Sequence, residues 1–329
     1  MTTAIGILSA EHLHADAYAA CLEGMEDAEL VGVADTEAHA DSAGEKAEEY
    51  GVDALSVDDL LARSDGVAIC SENVRHRELV EAAADAGVDV LCEKPLAPTV
   101  EDAQACVDAC EAAGVHLGVA LPLRFSEPMR NANQAVEEGT LGELTFLSGT
   151  NRGQMPGGWF ADPELAGGGA TMDHTVHILD AVRWITGRDV EEVYLESDTR
   201  FHDIPVEDVN LLSMRLEGGL EFTLDGSWSK PDEYDTWGGA SLRLVGRDGV
   251  LEVDCFDQTL KQTRDSGAPG VHQVFWGPDA NLTLVEDFVE AVREDRPPGK
   301  TGAHAVHDVA VIQAAYESAE RGEPVQVER

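Results

Sequence analysis

Over residues 1–120, short apolar runs alternate with longer stretches in which apolar side chains recur every three or four positions. Ala4–Leu8, Glu29–Ala34, Val67–Cys70, Val88–Cys92 and Val115–Ala120 have the length and content of buried strands. The stretches 14–24, 37–50, 75–86 and 99–113 carry helical spacing, each followed or closed by a glycine (Gly24, Gly51, Gly87, Gly114). Strands interleaved with helices build parallel βαβ units with right-handed crossovers. Such a sheet takes its ligands at the carboxyl ends of its strands. Beyond residue 120 the pattern changes. Asn131–Glu138 reads as helix, Leu144–Thr150 as strand, and 153–160 as a glycine-rich loop with aromatics. From Val190 onward, 190–196, 210–216, 220–228, 240–245 and 249–256 alternate apolar and polar residues. The turn signals Glu217-Gly218-Gly219 and Gly246-Arg247-Asp248-Gly249 join them as successive hairpins of an antiparallel sheet. Residues 257–278 are polar and irregular, as expected of a mobile loop, and helices at 281–293 and 302–319 close the chain. Two domains are expected, 1–120 and 121–329, with the helix 302–319 packing back on the first.

The chemistry concentrates in three places. Gly167-Gly168-Gly169 runs directly into a helical pattern in which Asp173 and His177, four apart, share one face. A carboxylate and an imidazole so placed can orient one another for proton transfer. The same residues also read as an ordinary helix start with an incidental acidic stripe. Glu93-Lys94-Pro95 follows a strand at the ligand edge. Lys94 is one of only five lysines in the chain, and its place in a tight turn reads equally as an ammonium aimed at a substrate oxygen and as an ordinary surface lysine. Asp35 ends the second strand, 21 residues past His14, where a carboxylate accepts the ribose hydroxyls of NAD and repels the 2′-phosphate of NADP. The glycine fingerprint expected after the first strand is replaced: its three glycine positions hold Ser9, Glu11 and His14. Ser9, Ala10, His12 and Leu13 still offer backbone N–H groups at a helix start. His12 and His14 read as phosphate donors, as surface histidines or as a metal pair. Glu11 opposes pyrophosphate unless it points away.

Charge changes the picture of the solvent. With 64 Asp and Glu against 22 Lys and Arg, the formal net charge is −42. Self-repulsion of that size opposes compaction in dilute buffer and is screened in molar salt. A salt-adapted cytoplasm, as in a halophilic archaeon, is therefore expected. Nucleic acid and anionic membranes are excluded as partners. The six cysteines include no CxxC pair, and Cys106 and Cys110, four apart, read as helix packing. The start lacks the basic n-region of a signal peptide, and no apolar run reaches the ~18 residues of a membrane span, so a soluble intracellular protein without a metal cofactor is expected.

Taken together, Glu93-Lys94-Pro95 and the later Gly-Gly-Gly-x-x-x-Asp-x-x-x-His resemble the Gfo/Idh/MocA family of oxidoreductases, which includes glucose–fructose oxidoreductase and inositol 2-dehydrogenase. Ser71-Glu72-Asn73 with His76 resembles the family loop that borders the nicotinamide. Leu123-Arg124-Phe125 resembles the exit from the first domain, Gly139–Leu144 the entry to the second, and Ala314–Ala319 with Gly322 the closing helix. The resemblance implies an α/β fold: an N-terminal Rossmann dinucleotide-binding domain plus a C-terminal α/β domain with a large, mostly antiparallel open sheet. It implies hydride transfer between NAD and a hydroxyl or carbonyl carbon of a sugar, inositol or related polyol. His177 then accepts the hydroxyl proton, Lys94 positions that hydroxyl, and Asp173 orients substrate and base. Cofactor contacts fall to Ser9, Ala10, His12, Leu13, Asp35, Ser71, Asn73, His76, Glu93 and Lys94. Substrate contacts fall to Lys94, Arg124, Arg152, Trp159, Asp173, His174 and His177. A homo-oligomer, dimer or tetramer, pairing through the open sheet is implied as well. The lost glycines keep a second class open, a non-redox sugar-binding or regulatory protein on the same scaffold.

Overall fold

The computed structural model of the chain describes residues 2–256, 261–263, 271–273 and 279–328. The first six strands, β1 (Thr3–Ala10), β2 (Ala28–Ala34), β3 (Ala54–Leu55), β4 (Gly66–Cys70), β5 (Asp89–Cys92) and β6 (Leu117–Val119), form one parallel sheet in the order β3-β2-β1-β4-β5-β6. Every residue of β4 is buried, as befits a strand covered on both faces. The crossovers are α1 (His14–Glu23), α2 (Ala40–Tyr50), α3 (Val57–Arg63), α4 (His76–Asp85) and α5 (Val100–Ala113). The pair β3 and α3 escaped the hydrophobic pattern because β3 is only two residues long; α3 is announced instead by Ser56, whose hydroxyl accepts the Asp59 N–H at 3.1 Å. β1 has β2 on one side and β4 on the other. Chain direction across the sheet therefore reverses there, opening the crevice at the carboxyl ends of β1 and β4 in which such folds bind ligands.

The chain leaves this sheet through α6 (Glu127–Glu137) and enters a second. Its strands are β7 (Leu144–Thr150), β8 (Val190–Asp198), β9 (Val209–Leu216), β10 (Leu220–Asp225), β11 (Ser241–Gly246) and β12 (Val250–Asp254). Between β7 and β8 lie α7 (Pro163–Ala166) and α8 (Ala170–Thr186). Two further strands, β13 (Lys261–Thr263) and β14 (Val271–Gln273), pair with each other, and the rest of the 257–278 stretch lies outside the described residues. After α9 (Ala280–Glu294) and α10 (Gly302–Arg321), β15 (Val325–Gln326) completes the second sheet in the order β12-β11-β7-β10-β9-β8-β15. The sheet is mostly antiparallel but not a run of successive hairpins: β7 inserts between β10 and β11 and pairs parallel to β10. Local turn signals report only neighbours in sequence, so this insertion was invisible to them.

Ile178, Leu179, Val182 and Ile185 of α8 press on Leu147, Leu212 and Phe222 of the second sheet. The other side of α8 belongs to the first core, where Met172 and Val176 join Val309 and Ile312 of α10. α9 also returns to the first sheet, with Leu284, Val285 and Phe288 against Ile5 and Ile7. The helix that begins at the glycine motif is thus wedged between the two sheets. Among the described residues no helix is long and apolar enough to cross a membrane.

Candidate active site

Gly167 has φ 78°, and a Cβ there would lie 2.6 Å from Cβ of Pro98. Only glycine lets the start of α8 press so close to the turn that carries Lys94. Lys94 leads into a cis peptide with Pro95, and its ammonium donates to Asp173 Oδ1. Both residues are buried. The other oxygen of Asp173 accepts the indole N–H of Trp228 at 3.1 Å and lies 3.3 Å from His174 Nε2. Burial alone would raise the pKa of this carboxyl; Lys94 and His174 more than offset it and hold Asp173 well below the usual carboxylate range. Asp173 is therefore a fixed anion. His177, one turn on, is pushed well below the ordinary imidazole range, first by burial and then by the Lys94 ammonium. Its ring is neutral at neutral pH, and its Nδ1 has no hydrogen-bond partner among the described residues. The arrangement thus contains a held ammonium, a held carboxylate and an uncommitted neutral base.

At the crevice Ser9 takes φ 66°, the left-handed turn that the first fingerprint glycine normally supplies. The amide of His12 donates to the Cys70 carbonyl at 2.8 Å, tying this loop to the end of β4. The first amide of α1, that of His14, is accepted by His12 Nδ1, while the N-cap residue Leu13 offers no side-chain cap. Asp35 is buried at the end of β2, accepts the Thr36 N–H at 2.6 Å, and is gripped by the Arg75 guanidinium, which also reaches Glu72 at 3.1 Å. Turn, helix start and strand-end carboxylate fit a nicotinamide dinucleotide. The two other fingerprint positions have turned their side chains to protein partners. Glu11 lies 3.5 Å from His39 Nδ1, and its carbonyl accepts the Trp159 indole N–H at 3.0 Å. His14 Nδ1 lies 2.9 Å from Glu93 Oε1, which also accepts the Tyr18 hydroxyl.

His12, His14 and Glu93 bring ligand atoms within 4.8 Å of one another, a spacing a metal ion would accept. However, His12 Nδ1 already accepts the His14 N–H at 3.1 Å, so the neutral ring carries its proton on Nε2, which faces Glu93 Oε2 at 3.7 Å. Neither ring is a free surface histidine. The cluster compensates a fully buried carboxylate: burial would raise Glu93, and His12, His14 and Lys94 hold it well below its ordinary range.

The remaining expected contacts divide. His76 is fully buried between the carbonyls of Pro95 (2.9 Å) and Ser71 (3.3 Å), and so ties the loop after β4 to the Lys94 turn. The hydroxyl of Ser71 donates to the Glu72 carbonyl. Asn73 donates to the Ala166 carbonyl at 2.8 Å, just ahead of the glycine motif. Trp159 stacks on Phe160 with centroids 3.9 Å apart, and Phe160 lies 5.9 Å from the Lys94 ammonium. Arg152 is half exposed, 3.8 Å from Asp225. His174 Nδ1 donates to the Gly226 carbonyl at 3.0 Å, making the ring a buttress behind Asp173.

Arg124 corrects the expectation of a substrate contact. Its guanidinium is spent on Asp180 and on the Gly299 carbonyl, the latter at 2.8 Å. Asp180 also binds Lys300 at 2.7 Å, and Lys300 binds Asp308 at 2.6 Å, which in turn holds Arg183 at 2.5 Å. This buried ion network fastens α8 to α10. Removing one member of a buried pair costs about 3–5 kcal/mol. Each carboxylate bound by Lys300 keeps an arginine, so Lys300→Met is expected to cost less, about 2–3 kcal/mol, read as a lowered denaturant midpoint at fixed salt. The residues that sequence reasoning missed meet the site across long stretches of chain: Trp228 at Asp173, Phe160 at Lys94, Arg75 at Asp35 and Tyr18 at Glu93.

Fold and site define a two-sheet, dinucleotide-crevice protein with a lysine–carboxylate–imidazole set at the strand ends. Residues 5–121 match the oxidoreductase family with an NAD-binding Rossmann fold, and residues 129–252 match the GFO/IDH/MocA C-terminal domain. The chain is 30% identical to 1,5-anhydro-D-fructose reductase of Ensifer adhaerens, over 91% of each chain. It is 31% identical to D-xylose 1-dehydrogenase (NADP(+)) 2 of Haloferax volcanii, covering 84% of this chain and 83% of that one. The structure of GenD2 from gentamicin A biosynthesis in complex with NAD superposes with a TM-score of 0.89 at 21% identity, over 100% of this chain and 97% of that one. The chain belongs to the GFO/IDH/MocA family of oxidoreductases.

Proposed function

We propose that the chain is an NAD-dependent dehydrogenase or reductase acting on a CH–OH or carbonyl carbon of a sugar, inositol or related polyol. The observation that carries this reading is the buried Lys94–Asp173 pair beside the neutral His177 at the crevice edge. The names of the relatives supply the substrate class. Ser9, Ala10, Leu13, Asp35 and the loop at Ser71–Asn73 would hold the dinucleotide, which supplies the hydride acceptor or donor when bound. Lys94 hydrogen-bonds the reacting oxygen and favours its anionic form. Asp173 fixes the ammonium in place. His177 takes the hydroxyl proton in oxidation and returns it in reduction. Residues 1–120 serve as the nucleotide domain and 121–329 as the substrate and assembly domain. The open face of the second sheet serves a homo-oligomer, and the acidic composition suits the cytoplasm of a halophilic archaeon.

Asp35 supports NAD, whereas Arg75 against it offers a guanidinium to a 2′-phosphate. Asp35→Ala is expected to lower affinity for NAD about tenfold and leave that for NADP unchanged or improved. An unchanged ratio of the two dissociation constants refutes the ribose assignment. Glu11 and His14 at glycine positions favour the second reading, a non-redox sugar binder. Titration with NAD and NADP in molar salt, followed by cofactor fluorescence with a polyol panel, separates the two. No dinucleotide binding at millimolar concentration sinks the dehydrogenase reading.

A further inference from the structure

α8 carries Asp173 in its first turn and His177 in the next, so both move with the start of the helix. That start has no cap of its own, because its N-cap residue is Gly169. The cap comes from Glu207, in the segment between β8 and β9. Its carboxylate accepts the Gly169 N–H at 3.2 Å and the Thr171 N–H at 3.0 Å, and its carbonyl accepts the Ala170 N–H at 2.9 Å. Three consecutive amides at a helix start thus converge on one residue, and the negative charge matches the positive end of the helix dipole. Glu207 is itself held, since the Tyr316 hydroxyl of α10 donates to Oε1 at 2.8 Å. The remaining glycines of the motif follow from this contact. A Cβ at Gly168 would fall 2.0 Å from the Tyr316 hydroxyl oxygen, and one at Gly169 would fall 2.1 Å from the Glu207 carbonyl oxygen.

We propose that Glu207, steadied by Tyr316, is a positioning residue of the active site: as a remote N-cap it sets where α8 begins, and so keeps Asp173 on Lys94 and His177 toward the crevice. The inference rests on the function proposed above for Asp173 and His177. Glu207 touches neither of their side chains, and its effect passes through the helix backbone.

Three variants test it: Glu207→Gln, which keeps the shape and loses the charge; Glu207→Asp, which keeps the charge on a shorter arm; and Tyr316→Phe, which frees the carboxylate. Three readouts are taken on each full-length protein in molar salt. These are the dinucleotide dissociation constant, kcat and KM with the polyol that turns over, and solution NMR of amide exchange and of the His174 and His177 rings. Losing a helix cap typically loosens the first turn by about 2- to 30-fold. Glu207→Gln is therefore expected to speed exchange of the amides at 170–173 by about that factor and to shift the His177 ring signals. It is also expected to lower kcat about tenfold, while KM and the dinucleotide constant stay within about threefold. Tyr316→Phe is expected to do the same more weakly, and Glu207→Asp to recover part of the loss. A lowered melting temperature with unchanged kcat and unchanged His177 signals overturns the proposal, because a merely structural cap gives that result. If the wild-type protein turns over no polyol, the dehydrogenase reading fails by itself. The exchange and ring signals then still decide: shifts on Glu207→Gln support the positioning role, and their absence refutes it.

Discussion

His177→Asn is expected to lower kcat about 10³-fold while the dinucleotide dissociation constant and KM stay within about threefold. A positioned general base contributes about 10²- to 10⁴-fold, and asparagine keeps a polar side chain that cannot take a proton near neutral pH. The size of the loss depends on whether another group can substitute. Asp173 cannot do so well: held well below the ordinary carboxylate range by Lys94 and His174 against the pull of burial, it is too weak a base. His174 donates Nδ1–H to the Gly226 carbonyl, which fixes its ring behind Asp173. The pH dependence follows with a definite sign. His177 must be neutral to accept the proton of oxidation, so activity falls as pH drops through its pKa. Burial and Lys94 shift that pKa downward, so the acidic limb of kcat in the wild type is expected below the ordinary imidazole value of about 6.5. In His177→Asn that limb disappears. A loss under tenfold, with the limb still present, would mean that another group takes the proton.

How far the site was legible follows from the range of each interaction along the chain. Asp173 and His177 are four residues apart, and helical periodicity alone puts them on one face. Lys94 follows a buried strand, and the parallel order of the first sheet puts that strand end at the crevice. Both inferences use local pattern plus one topological rule. The partners that fix Asp173 obey no such rule. Trp228 is 55 residues away, and it meets Asp173 only because β10 ends beside the start of α8. Glu207 and Tyr316 sit on a loop and on the last long helix, with nothing in their neighbourhoods to mark them as a clamp. Arg124 misled for the same reason: an arginine near the domain exit reads as a ligand contact until Asp180 and Gly299 are seen to occupy it. Ser9 is the converse case. The residue type departs from glycine, yet the backbone keeps the left-handed turn, so composition understated how much of the fingerprint's geometry survives. In the second sheet, turn signals marked the strand ends, but β7 joins between β10 and β11 from about 70 residues upstream, beyond the reach of hairpin logic.

Transfer from about 3 M to about 10 mM KCl is expected to unfold the chain at 25 °C. The Debye length grows from about 3 Å at 1 M to about 30 Å at 0.01 M, from less than the spacing of neighbouring surface charges to the size of the molecule. For a net charge of −42 on a sphere of radius about 25 Å, the difference in self-repulsion is on the order of tens of kcal/mol before the unfolded chain's own repulsion is subtracted. Typical stabilities of about 5–15 kcal/mol do not withstand even a fraction of that. Cations on the protein offer little relief, because Lys and Arg total 22 against 64 acids and the best-placed ones are already committed. Lys94, Arg124, Arg183 and Lys300 are locked into pairs with Asp173, Asp180 and Asp308, where solvent salt barely reaches them. The active-site pairs should therefore change little with ionic strength while the acidic shell dominates the response. Far-ultraviolet circular dichroism against KCl tests this, with MgCl₂ at matched ionic strength and sucrose at matched osmolality alongside. Screening requires both salts to restore the fold and sucrose to fail. Equal rescue by sucrose would mean that the low-salt state lacks burial rather than screening, and would sink the electrostatic account.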